Sequence, residues 1–90
     1  MTLIVTRHKG MVQWLKNMGV EGRVIEHATE EDVRDNVVYG NLPFGLASAA
    51  AFVTVVEMPD LKSEHRGKDL SPEEMNAAGA RLRSYKVTAF

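Results

Sequence analysis

Three short runs, Leu3–Thr6, Val37–Tyr39 and Phe52–Met58, carry apolar side chains at largely consecutive positions instead of at every second one. A strand with this pattern has to be covered on both faces, and helices packed on either side of a mostly parallel sheet meet that requirement. The intervening segments supply such helices. Met11, Trp14, Leu15 and Met18 recur at i, i+3, i+4 and i+7 with Gln13, Lys16 and Asn17 between them, and Gly19 provides a stop. Arg23–His27 reads as a further strand, and Glu30-Glu31-Asp32 as a solvated turn or a single helical turn. The alanine-rich stretch Leu46–Ala51 has high helix propensity.

A polar loop is expected from Pro59 to Leu70, and after it comes the sharpest local signal. Ser71-Pro72-Glu73-Glu74 combines an N-cap serine, a proline at the first helical position and a glutamate able to reach back to the serine amide. Met75, Ala78, Leu82 and Tyr85 would form the buried stripe of a helix that continues through Tyr85. These patterns predict a compact α/β, Rossmann-like domain over residues 1–90, with a mostly parallel sheet and helices on both faces.

Ninety residues allow one core, since a chain of this size buries roughly 60–70% of its unfolded surface. A core this small favours association, and a homodimer is the expectation. Eleven lysines and arginines against twelve aspartates and glutamates leave a net charge of −1. No global positive field would therefore hold the protein on duplex DNA or an anionic membrane, and any bound anion must be held locally. The absence of cysteine excludes disulfides, thiolate metal sites and a cysteine nucleophile. Only Leu3–Val5 is apolar before the first charges appear, so neither a signal peptide nor a membrane span is expected and a cytoplasmic location is.

Ligands of open parallel sheets bind beyond the carboxyl ends of the strands. Two loops should lie there. Thr6-Arg7-His8-Lys9-Gly10 offers fixed positive charge, a glycine permitting close approach, and the amides opening the first helix. It reads equally as a solvated basic turn. Gly40-Asn41-Leu42-Pro43 presents an amide that can donate to phosphate or ribose, although such residues also simply make turns. A third candidate, Glu64-His65-Arg66-Gly67-Lys68, is either a lid bringing Arg66 and Lys68 over an anion or a solvated surface loop. No dinucleotide or triphosphate glycine motif, no metal-ligand spacing and no G-x-S-x-G motif is present. Neither a metal nor a cofactor is expected.

Taken in chain order, Thr6-Arg7-His8-Lys9-Gly10, Val38-Tyr39-Gly40-Asn41-Leu42-Pro43, Arg66-Gly67-Lys68-Asp69-Leu70-Ser71-Pro72-Glu73-Glu74 and Gly79-Ala80-Arg81-Leu82 resemble the CRISPR-associated Csx-sixteen family, small accessory proteins of type III systems. The resemblance implies a relative of the CRISPR-associated Rossmann-like sensor fold, acting as a dimeric ring nuclease that cleaves cyclic tetra-adenylate. In that scheme Arg7 and Lys9 clamp phosphate, Asn41 orients ribose or phosphate, His8 is a candidate general acid or base, and Arg66 is a further cation. Thr6, Gly10, Gly40, Leu42, His65 and Lys68 would complete the ligand-binding surface. His8 could instead be structural. One rival uses the same basic loops, a module that sequesters the messenger uncut; a more distant one is an interaction protein with a Rossmann-like core and no nucleotide ligand.

Overall fold

The computed structural model describes residues 1–66 and 68–90. Gly67, part of the third candidate segment, lies outside them. The elements are β1 (Thr2–Val5), α1 (Lys9–Asn17), β2 (Arg23–Ile25), α2 (Glu30–Val33), β3 (Val37–Tyr39), α3 (Phe44–Ala49), β4 (Phe52–Glu57), a 3-10 turn at Ser63–His65, α4 (Pro72–Ala77) and β5 (Arg81–Tyr85). Five strands form one sheet in the order β2-β1-β3-β4-β5. β1 to β4 run parallel, and β5 pairs antiparallel with β4. This is the expected Rossmann-like α/β arrangement.

The consecutive apolar positions of the strands feed two cores. Leu3 and Val5 of β1, Val38 and Val53 pack on one face against Val33 of α2 and Ala47 of α3. Ile4 between them turns to the other face, where Trp14 and Leu15 of α1 meet Met75 of α4. Leu3, Leu15, Val33 and Val38 are fully buried, each such side chain stabilising the fold by about 1.5–3 kcal/mol. Trp14 can be buried because its indole Nε1–H donates to Asn76 Oδ1 at 2.8 Å, a bond that also ties α1 to α4.

The last helix is shorter than its apolar spacing predicts. It begins at the expected capping box, with Glu74 N–H donating to Ser71 Oγ at 3.2 Å and Ser71 N–H to Glu74 Oε1 at 3.0 Å. It ends at Ala77 because Gly79 takes φ +76°, and the Gly79 and Ala80 amides donate back to Asn76 and Met75. Arg81–Tyr85 is therefore a strand, in which Leu82 still reaches the α1 and α4 core. Tyr85, opposite Val53, is instead exposed. Smaller differences follow local geometry. Met18, expected on the buried stripe, is the exposed C-cap of α1. α3 runs over residues 44–49, with Ala50 already extended, and β2 stops at Ile25, so Glu26 and His27 belong to the loop beyond it. No helix among the described residues is long and apolar enough to cross a membrane.

Three carboxylates are held below their ordinary range by hydrogen bonds: Asp32 by the Thr29 amide, Glu74 by the Ser71 amide and Glu57 by the Tyr85 hydroxyl. A depressed folded-state pKa adds stability that is complete above the unfolded value and lost as pH falls through the folded one. Thermal denaturation should therefore show a midpoint that drops below about pH 4. Ser71→Ala should lower stability by about 1 kcal/mol near neutrality and flatten part of that acid limb. An acid limb unchanged in Ser71→Ala would show that the Ser71 hydroxyl does not contribute to it.

Candidate functional site

From β1 the chain passes to β2 on one side and later to β3 on the other, so the order reverses between β1 and β3. A crevice opens at the carboxyl ends of strands at such a point. Here the ends of β1 and β3 approach so closely that a Cβ on Gly40 would collide with the Val5 carbonyl oxygen. Gly40 also has φ +138°, a conformation that side chains disfavour, and its amide donates to the Thr54 carbonyl at 2.9 Å. The role of Gly40 is thus to bring Asn41 to the mouth of the crevice.

Two open clefts meet there, sharing His8, Met11 and Asn41. The first, of about 320 Å³, is lined by Thr6, Arg7 and His8 after β1, Asn41 after β3, and Glu26 and His27 after β2. The second, of about 180 Å³, adds His65, Lys68 and Asp69 over an apolar floor that includes Met58 and Met75. The three candidate segments therefore converge: Thr6, Arg7, His8, Asn41, His65 and Lys68 surround one strand edge. Lys9, Gly10, Gly40 and Arg66 line neither cleft. Lys9 and Arg66 are exposed, and Leu42 lies in a separate cavity on the α3 side.

The amino end of α1 departs from the expectation. Gly10 faces the segment before α4: a Cβ there would collide with the Leu70 carbonyl oxygen, so this glycine lets α1 pack against that segment. Its amide donates to Asp69 Oδ1 at 3.4 Å, and His8 Nδ1 lies 3.8 Å from the same oxygen. A carboxylate of the protein thus occupies a helix end that favours negative charge. His8 N–H is likewise engaged, donating to Thr6 Oγ1 at 3.1 Å. The basic side chains nearest this helix end are Arg7, in the larger cleft, and Lys68, in the smaller.

Two cleft residues are missed by sequence reasoning. Glu26 and His27 are read there as the end of a strand, whereas a strand ending at Ile25 would have put them in the loop on the same carboxyl edge. The signal is the change from apolar Val24-Ile25 to polar Glu26-His27. With His27, the larger cleft holds an arginine, two imidazoles, an amide and the Glu26 carboxylate: a fixed cation, two rings with both donor and acceptor nitrogens, a neutral donor and an acid.

A family model described as "Putative CRISPR-associated protein (Cas_VVA1548)" matches residues 3–88, nearly the whole chain. No curated protein and no solved structure matches it.

Because Asp69 competes for the helix end, Asp69→Asn should strengthen binding of small polyanions several-fold, most at low ionic strength. Titration with inorganic pyrophosphate at two salt concentrations measures this. Unchanged affinity would mean that anions bind away from the amino end of α1.

Proposed function

The chain belongs to the CRISPR-associated family Cas_VVA1548, and from that premise we propose that it is a ring nuclease that cleaves cyclic oligoadenylate, most readily the tetra-adenylate ring. The observation that carries this reading is the meeting of Arg7, His8, His27 and Asn41 in one cleft at the point where strand order reverses. The reaction asks for little beyond these groups. A ribose 2′-oxygen attacks its own adjacent phosphorus and displaces the 5′-oxygen, leaving a cyclic phosphate and a 5′-hydroxyl. One proton leaves the 2′-hydroxyl and one is delivered to the departing oxygen. Two imidazoles match those two transfers, with His8 and His27 as the pair. Arg7 stabilises charge developing on the phosphoryl oxygens, and Asn41 holds the sugar in line. Glu26 in the same cleft repels phosphate, which favours binding on the Arg7 and His8 side.

The nucleophile is part of the substrate, so the scheme needs neither a metal nor a protein nucleophile. One protomer places few cations at the clefts, whereas a ring of four nucleotides carries a negative charge on each phosphate. A two-fold pair of subunits presenting Arg7 and Lys68 twice around a shared ring meets that demand better than one copy. The competing reading is a module that binds the messenger without cutting it. The occupied helix end at Asp69 favours it, because an amide that would otherwise stabilise developing charge is already engaged.

Incubation with excess cyclic tetra-adenylate, followed by chromatography, should show linear products in multiple turnovers with chelator present. Stable binding without product would select the sequestering reading. Arg7→Ala removes a charge-assisted contact of about 1.5–3 kcal/mol, so single-turnover cleavage should slow roughly 10- to 100-fold while affinity changes less. Wild-type rate and affinity in that variant would place the site elsewhere. Light scattering should report a dimer, and a monomer with full ring cleavage would refute the shared site.

A further inference from the structure

Asn41 also borders a third cavity, of about 260 Å³, on the α3 side of the sheet. Its walls are Phe44 at the start of α3, Val53 and Val55 of β4, and Tyr85 and Lys86 at the end of β5. We propose that this cavity is a nucleoside-base subsite, taking the heteroaromatic ring of a nucleotide whose phosphate lies in the cleft on the other side of Asn41. The proposal rests on the nucleotide reading of that cleft.

Size and composition argue for a ring system. Sites for drug-sized ligands run to about 300–1,000 Å³, so a slightly smaller space suits a single base. A stable protein partner would need about 800 Å² of surface from this chain. The polar ends of Tyr85 and Lys86 are already engaged. The Tyr85 hydroxyl donates to Glu57 Oε2 at 2.8 Å, and Lys86 Nζ donates to the Ala50 carbonyl at 3.0 Å. What these two residues leave for a ligand is a ring and an alkyl stem.

The Tyr85 ring is also held in place. Its hydroxyl is anchored by Glu57, itself bonded to Arg81 Nε at 3.3 Å, and the Arg83 guanidinium stands 5.5 Å from the ring centroid. A ring fixed at its hydroxyl and flanked by a cation, yet 38% exposed, is a pre-formed stacking surface. Phe44 is 82% exposed at the rim, available to close over a base. Asn41 supplies donors and an acceptor for the base edge. It borders all three spaces, so one side chain adjoins both the base cavity and the two clefts.

The test separates base from phosphate. Amide spectra of the isotopically labelled protein are titrated with adenosine, which has no phosphate, and with ribose 5-phosphate, which has no base. Adenosine should shift the signals of Phe44, Val55 and Tyr85, and ribose 5-phosphate those of Arg7 and His8. Phe44→Ala, at an exposed position, should weaken adenosine binding roughly tenfold and leave ribose 5-phosphate binding unchanged. If the sugar phosphate leaves Arg7 and His8 unmoved while adenosine still shifts Tyr85, the phosphate reading fails and the base subsite stands. If saturating adenosine leaves Phe44 and Tyr85 unmoved, or if Phe44→Ala binds it as tightly as wild type, the subsite is refuted. Signals there that follow protein concentration instead of adenosine would assign the surface to a second copy of the chain and overturn the proposal.

Discussion

β1 is buried on both faces, and this one constraint organises the molecule. Leu3 and Val5 belong to the core under α2 and α3, while Ile4 belongs to the core under α1 and α4. A strand used this way has to sit inside the sheet with neighbours on either side, here β2 and β3. The carboxyl end of β1 therefore becomes the place where the chain divides its windings. Thr6, Arg7 and His8 are carried there by packing alone, before any ligand is considered.

Packing also explains why glycines in a loop suggestive of a ligand have other duties. Gly40 lets β3 close on the Val5 carbonyl, and Gly10 lets α1 close on the Leu70 carbonyl. The second contact brings Asp69 to the amides of α1. The fold thus holds its own anion at a position where many nucleotide-binding folds hold the ligand's. The cationic side chains lie in the two clefts that share His8, Arg7 in one and Lys68 in the other.

Much of this organisation is legible in the residues because it is local. The apolar runs announce β1, β3 and β4, the Trp14 and Leu15 spacing announces α1, and Ser71 with Glu74 announces the start of α4. What is not legible is non-local. Leu82 and Tyr85 continue the helical spacing of Met75 and Ala78, and only the positive φ of Gly79 and pairing with β4 show that they belong to a strand. For the candidate site, the loops after β1 and β3 are readable from topology, and Arg7, His8 and Asn41 with them. His27 is not, because its place depends on a strand boundary that two residues decide. Asp69 at the α1 amides follows from a contact across the fold that no spacing encodes.

The reversal of β5 has a consequence for how the sheet ends. A sheet exposes unpaired backbone groups along its two outer strands, and such margins recruit strands from other chains unless they are short or charged. β2 is only three residues long and opens on Arg23. β5 carries Arg81 and Arg83, one tied to Glu57 and the other set against the Tyr85 ring. Both margins thereby carry arginine, whose charge opposes pairing with the strands of another copy.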